Sequence, residues 1–150
     1  MAKKSLVEMF LTQSTLAIVG VSRNDKKFGN VIFRELSAKG YKILPVNPNA
    51  ERIGEERCYP SLKALPEPPD GLIIVVPPAQ TEQVVQDAAA VGIKHVWMQQ
   101  GSQSKKSMEF CEKNGISVVA GECILMFAEP AAFIHRLHRS IWKLIGKLPK

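Results

Sequence analysis

The sequence predicts an α/β fold: a doubly wound parallel sheet of about five strands, with an additional amphipathic helix at the C-terminal end. Three observations carry this expectation. Short apolar runs alternate with helix-like segments along most of the chain. The runs are solidly apolar, without the in–out alternation of a half-exposed sheet, as strands covered on both faces require. Gly, Pro and Asn punctuate the junctions, as they do where elements end.

In order, Ser5-Leu6-Val7-Glu8 has the spacing of a capping box and precedes Met9, Phe10 and Leu11, which predicts a short N-terminal helix. Leu16–Val21 is too brief for a helix and reads as a buried strand, followed by the loop Ser22–Lys27. Phe28, Val31, Ile32 and Leu36 recur at helical spacing over Phe28–Lys39, and Gly40 supplies the stop. Tyr41–Val46 is a second strand ending at Asn47-Pro48, and Asn49–Asp70 is irregular except for a one-turn helix at Ser61–Leu65. Leu72–Val76 is β-branched, continuous and closed by Pro77-Pro78, a strong strand signature. A helix over Ala79–Val91 ends at Gly92. Lys94–Met98 forms a fourth strand with Gln99-Gln100-Gly101 as its exit loop. Ser104 opens a helix that stops at Asn114-Gly115, Ile116–Ala120 is the fifth strand, and Glu129–Ile145 is a long basic helix. Right-handed crossovers wind such a chain into a Rossmann-like domain whose ligand crevice lies at the carboxyl ends of the strands.

At 150 residues and 16.6 kDa the chain is expected to form one domain, 1–150, with its core over 16–123 and the basic helix over 129–146. Three cysteines without paired spacing argue against a disulfide scaffold and for a reducing, cytoplasmic setting. No apolar run reaches the length of a membrane span, and the opening MAKKSLVEMF lacks a signal peptide's apolar region. Twenty basic and fourteen acidic residues give a net charge of +6. Five of the basic ones (Arg136, Arg139, Lys143, Lys147, Lys150) and no acidic residue lie beyond Pro130, so residues 1–129 carry only +1. The body therefore lacks the clustered basic face of a nucleic-acid binder.

Four segments meet at the predicted crevice: Gly20–Lys27, Val46–Pro48, Val76–Ala79 and Gln99–Gly101. In the first, Gly20 allows close approach of a phosphate, the Ser22 hydroxyl can donate to it, and Arg23, Lys26 and Lys27 add charge before a helix N-terminus. An ordinary strand–helix turn that needs Gly for its backbone angles reads equally well. A side chain at Gly20 is expected to block the phosphate while leaving the fold largely intact. A dinucleotide site would show G-x-G-x-x-G and an acidic residue after the second strand. This chain has Gly20-Val21-Ser22, six further residues before Gly29, and Asn47-Pro48 where the carboxylate would stand. The Gly-Lys-Ser/Thr of a P-loop is absent too, which leaves a phosphorylated nucleotide of another kind.

The ordered set VGVSRNDKKFGNVIFRELSAKGYKILPVNP, CYPSL, VVPPAQ, VWMQQG and VVAGEC resembles the stand-alone CoA-binding proteins, which look like the N-terminal CoA-binding domain of the succinyl-CoA synthetase α-subunit. The resemblance runs from about Leu16 to Cys123. It implies that Gly20, Val21, Ser22 and Arg23, with Lys27 nearby, hold the CoA diphosphate, and that Val46, Asn47 and Pro48 border the adenosine. It further implies that Val76, Pro77 and Pro78 line the pantetheine arm, with Gln99 and Gly101 toward the thiol. A proline pair ending a buried strand makes a rigid wall with no N–H to satisfy, suited to that arm. The synthetase carries a lysine shortly after its equivalent of Asn47-Pro48. This chain departs from that pattern, reading Asn49-Ala50-Glu51-Arg52.

No catalytic set is visible. The synthetase's phosphorylated histidine lies in a second domain. His95 falls in a predicted buried strand and reads as a satisfied core residue, and His135 and His138 sit three apart without a third metal ligand of fitting spacing. Cys123 follows the fifth strand and has two readings: a thiol that forms a mixed disulfide with CoA, or a small buried hydrophobe. The expected activity is therefore binding of CoA or an acyl-CoA without catalysis, as carrier, sensor or regulatory protein; the alternatives are a CoA-binding component of a multi-chain acyl-CoA ligase, or a docking module. The last rests on the C-terminal helix. Ile134, Leu137, Ile141, Leu144 and Leu148 form an apolar stripe over 130–148 that excludes the basic residues. Such a stripe covers the sheet, forms a homodimer, or docks on a partner or an anionic membrane surface.

Overall fold

The computed structural model describes residues 4–128. The expected C-terminal helix, with His135, His138 and the apolar stripe, lies outside the described residues. Within them the order is α1 (Lys4–Leu11), β1 (Thr15–Val19), α2 (Phe28–Ala38), β2 (Lys42–Val46), β3 (Arg52–Ile53), β4 (Glu56–Arg57), β5 (Gly71–Ile74), α3 (Pro78–Ala90), β6 (His95–Gln99), α4 (Lys105–Lys113) and β7 (Ser117–Glu122). Single 3₁₀ turns cover Leu62–Ala64 and Ile124–Met126.

Five strands form one parallel sheet in the order β2-β1-β5-β6-β7, the Rossmann-like arrangement expected. From β1 the chain steps outward to β2, then returns past β1 to β5 and continues to β7. The winding therefore reverses between β1 and β5, and their diverging exits open a crevice at the carboxyl edge.

Alternate side chains of each strand serve opposite faces, which is why the strand sequences are apolar throughout. Leu16, Ile18, Ile73, Trp97 and Val119 face α1, α2 and the last 3₁₀ turn. Ala17, Leu72, Ile74, Val96 and Met98 face Val85 and Ala88 of α3 and Cys111 of α4. On the first face Phe10 meets Trp97 edge-on at 5.4 Å between ring centroids, and the indole Nε1 donates to the Glu122 carbonyl at 3.1 Å. Burying an aromatic of this size is worth about 1.5–3 kcal/mol, so α1 is tied to the sheet chiefly through Phe10.

Five local expectations need correction, the first being the strand expected over Leu72–Val76: β5 ends at Ile74, leaving Val75 and Val76 outside it. Ser5 lies inside α1 rather than at its N-cap, and Glu8 faces Lys4 Nζ at 3.7 Å instead of closing a capping box. Val21 is outside β1 because Gly20, at φ +126°, breaks the extended backbone first. Gln99 is the last residue of β6, not part of its exit loop. The stretch after β2 is not wholly irregular: β3 and β4 pair as a small antiparallel hairpin. Two-residue strands are too short to show a period in the sequence. Pro45 stands within β2 because β2 is an edge strand, where a missing N–H costs little. Its carbonyl accepts the Tyr59 N–H at 2.9 Å.

Candidate functional site

The crevice is organised around two glycines that the sequence reading valued unequally. The Cβ of any other residue at Gly20 would sit 2.5 Å from the Val75 carbonyl oxygen and 2.8 Å from Val75 Cβ. A Cβ at Gly29 would lie 2.2 Å from the Gly20 carbonyl oxygen. The exit of β1 is therefore pressed between the end of β5 on one side and the first turn of α2 on the other. This corrects the expectation for Gly20. A side chain there meets the neighbouring strand, so substitution strikes the fold itself. Gly29 was not singled out as part of the site, although a glycine in the first turn of an apolar-faced helix is a signal of close approach.

Asn30 is the second residue the sequence reading missed. It is 2% exposed, with both ends of its amide engaged: the Ser22 N–H donates to Oδ1 at 2.9 Å, and Nδ2 donates to the Ser22 carbonyl at 2.7 Å. A buried polar side chain on the inward face of a helix must find partners, and this one finds them on the loop. The Ser22 N–H is thus committed to Asn30. Its hydroxyl is exchanged with Asn24, donating to the carbonyl and accepting from the N–H, both at 3.1 Å. Arg34 Nη1 donates to the Asp25 carbonyl at 3.0 Å and ties the outer part of the loop to α2. Lys27 is the N-cap of α2 and supplies no side-chain cap, so the positive end of that helix opens at the crevice.

Asn47 joins the second exit to the first. Its Nδ2 donates to the Val21 carbonyl at 2.8 Å, its Oδ1 accepts the Asn49 N–H at 2.7 Å, and its own N–H donates to the Tyr59 carbonyl at 2.8 Å. Val46 is buried opposite Val19, and the Val21 side chain is buried as well. Val21 packs in the core on the α1–α2 face of the sheet and Val46 in the core on the α3–α4 face. Pro48, Arg23 and Lys27 are exposed at the surface of the site, as are Pro77 and Pro78, with Val76 half-buried beside them.

Two grooves open on either side of the β3–β4 hairpin. One, of about 430 Å³, runs between the β1 exit and the hairpin; Arg23, Arg34 and Arg52 line it together with the carboxylates of Asp25, Glu55 and Glu56, and Ser22, Asn30 and Phe33 complete the β1-exit bank. The second, of about 670 Å³, starts at Pro48 and is bounded by Ala50, Cys58 and Pro60, with Arg52 and Arg57 over it. Arg52 lines both. Glu51 also lines the second groove beside the two arginines. A helix N-terminus and open grooves at a topological switch point make an arrangement suited to an elongated ligand that carries phosphate.

At the far side of the crevice, Gln99 is 3% exposed and its Oε1 accepts the Ile124 N–H at 3.1 Å. Gly101 turns at φ +92° with open space around it, and its N–H donates to Gln103 Oε1 at 3.0 Å. Gln99 therefore secures the β7 exit. His95 is half-buried at the first position of β6, so it stands at the edge opposite the crevice rather than in the core.

All three cysteines are free and buried. Burial pushes the Cys123 thiol up, against the opposing influence of a hydrogen bond with the Gln99 side chain. A buried thiol held protonated is the reverse of an activated thiolate, and Cys123 packs in the core cluster with Ile124 and Leu125. Desolvation also raises Cys58, and it pushes Cys111 from 9.0 up to about 11. Since the folded state holds the Cys111 proton more tightly, its contribution to stability is complete below pH 9 and lost as pH rises toward 11. Urea midpoints should fall over that interval, and Cys111→Ala should flatten the decline. A wild-type profile with no slope there would overturn this reading of Cys111. Among the described residues no group of three or more His, Cys, Asp or Glu side chains could hold a metal ion. No helix among them is long and apolar enough to cross a membrane.

The family model described as "CoA binding domain" matches residues 14–129. The acetate–CoA ligase [ADP-forming] II of Archaeoglobus fulgidus is 34% identical over 125 residues, a match covering 75% of this chain and 18% of that protein. The α-subunit of acetate–CoA ligase [ADP-forming] II from Pyrococcus furiosus is 27% identical over 130 residues, covering 79% of this chain and 28% of the subunit. The chain thus spans less than a third of either ligase relative. Among solved structures, a conserved hypothetical protein from Pyrococcus furiosus superposes with a TM-score of 0.70 at 41% identity, covering 73% of this chain and 95% of that one.

Proposed function

The chain belongs to the CoA binding domain family, and from that premise we propose that it binds CoA or an acyl-CoA without catalysis of its own, as a carrier, sensor or regulatory protein. The diphosphate lies at the Gly20-Val21-Ser22-Arg23 loop and the uncapped start of α2, with Lys27 adding charge. The adenosine lies along Asn47 and Pro48 over Val46, the pantetheine arm along Val76, Pro77 and Pro78, and the thiol toward Gln99 and Gly101. The observation that carries this reading is the locked β1 exit: Asn30 and Asn47 fix the Ser22 and Val21 carbonyls, so the loop meets a ligand already ordered. A preorganised loop spares the ligand the entropy of ordering it. Because Asn30 takes the Ser22 N–H, the phosphate contacts fall to the α2 terminus and the cationic side chains. We propose further that 1–150 forms one cytoplasmic domain, supported by its three free cysteines, and that 130–148 serves a homodimer or partner contact.

Thermal-shift and calorimetric titration with CoA, acetyl-CoA, dephospho-CoA and NAD tests the proposal. CoA at 100-fold over its Kd should stabilise the protein by about 2.7 kcal/mol, with NAD producing no shift. No shift with any CoA form at millimolar concentration would refute it. A second reading, a CoA-binding component of a multi-chain acyl-CoA ligase, draws on the similarity to the Pyrococcus α-subunit. Acyl-CoA formation by a co-purified complex, absent from the isolated chain, would favour that reading.

A further inference from the structure

We propose that Glu55 and Glu56 are specificity residues: they oppose nucleotides that end in a free phosphate and so favour a diphosphate esterified at both ends, as in CoA; this rests on reading the chain as a CoA binder. The groove between the β1 exit and the β3–β4 hairpin is charged on both banks. On the loop and α2 bank, Arg23 and Arg34 stand with Asp25, which leaves one net positive charge. On the hairpin bank, Glu55 and Glu56 stand with Arg52, which leaves one net negative charge. Arg52 is further occupied within its own turn, where Nη2 donates to the Glu55 carbonyl. Among the described residues no ion pair joins the two banks. The hairpin carboxylates, both on exposed residues, therefore border the groove without being paired to the arginines across it.

A phosphate at the uncapped start of α2 is drawn by the helix end and by the loop arginines. Those positive groups alone would hold a ligand more tightly the more charge it brings. A diphosphate esterified at both ends keeps one charge on each phosphate, whereas a terminal phosphate approaches a second near neutral pH. Charge at the groove therefore rises from dephospho-CoA to ADP to ATP, and the loop bank by itself would prefer the bare nucleotides. The repulsion from Glu55 and Glu56 also scales with ligand charge, and it cancels that advantage. Discrimination through a repulsive element is a general route to specificity. With the charge advantage removed, affinity is decided by what lies beyond the diphosphate. There CoA brings a pantetheine arm to the wall of Val76, Pro77 and Pro78, and ADP or ATP brings nothing to bury against it.

Calorimetric titration of the full chain with CoA, dephospho-CoA, ADP and ATP, without divalent cations, in wild type and in the double variant Glu55→Gln/Glu56→Gln, decides the matter. Removing the two carboxylates should tighten binding by a factor that grows with the charge at the groove. The gain should be smallest for dephospho-CoA, larger for ADP, and for ATP about threefold or more beyond that for dephospho-CoA. Circular dichroism melts of the double variant, altered only at exposed positions, establish that it folds. Equal gains for the three ligands, or a folded double variant that gains nothing on ADP and ATP, would overturn the selection while leaving CoA binding intact. Failure of wild type to bind either CoA form would instead overturn the CoA reading and the selection with it.

Discussion

Gly20→Ala is expected to lower the free energy of unfolding by about 2–6 kcal/mol, the sum of a strained backbone angle at about 1–3 kcal/mol and overpacking at about 1–3 kcal/mol. At φ +126° the position favours a residue without Cβ. The added methyl would also press on the Val75 carbonyl 2.5 Å away. That carbonyl belongs to the chain leaving β5, whose Val75 N–H is bonded to Val19 at 2.8 Å, so neither partner can withdraw without breaking the ladder between the two strands that frame the crevice. Urea unfolding should show a lower midpoint at unchanged slope, and CoA binding should weaken because the whole β1 exit shifts. Gly29→Ala sharpens the test. Alanine is favoured over glycine inside a helix by roughly 0.5–1 kcal/mol, so propensity alone would stabilise this variant. The 2.2 Å approach to Gly20 reverses that sign. If Gly29→Ala were more stable than wild type and Gly20→Ala unchanged, the packing of β5, the β1 exit and α2 described above would be wrong.

The fold was legible because the sheet is covered on both sides. Runs such as Leu72-Ile73-Ile74 tell the reader that both faces of a strand are buried, and the helical spacing of Ile32 and Leu36 tells which side of α2 turns inward. The loops of the site were legible by position, since strand ends in such sheets all reach one edge. What the sequence did not show was the division of labour within them. The Ser22 hydroxyl reads as a donor to phosphate, yet it is turned to the Asn24 carbonyl while the Ser22 N–H belongs to Asn30, and Gln99 reads as part of an exit loop although it ends β6, buried against the Ile124 N–H. The Asn30 and Gln99 pairings join residues from separate elements, and local patterning carries no record of them. The β3–β4 hairpin was hidden for a different reason: two residues per strand cannot establish a period, and the stretch around it is rich in proline and charge.

Asn30→Asp should prove the most informative single-atom change. The substitution preserves shape and keeps one oxygen to accept the Ser22 N–H, but it replaces the donor that satisfies the Ser22 carbonyl at 2.7 Å with a second oxygen. An ionised carboxylate there would face a carbonyl with no proton between them, at a side chain only 2% exposed. Leaving such a charge buried and unmatched costs about 3–5 kcal/mol. The variant can escape by keeping its proton, which restores a donor to Ser22, so its carboxyl titrates above the ordinary value of about 3.9. The sign follows from linkage: the folded variant binds the proton more tightly than the unfolded chain. Its stability should therefore be highest below about pH 4 and decline as pH rises through the folded carboxyl's titration. Urea midpoints of the variant measured across this range should fall relative to wild type, and CoA affinity at neutral pH should drop by at least about tenfold, since one unfavourable charge contact near a polyanion exceeds 1.4 kcal/mol. A variant as stable as wild type at every pH would mean that Asn30 does not hold the loop, and the ordered β1 exit would lose its principal support.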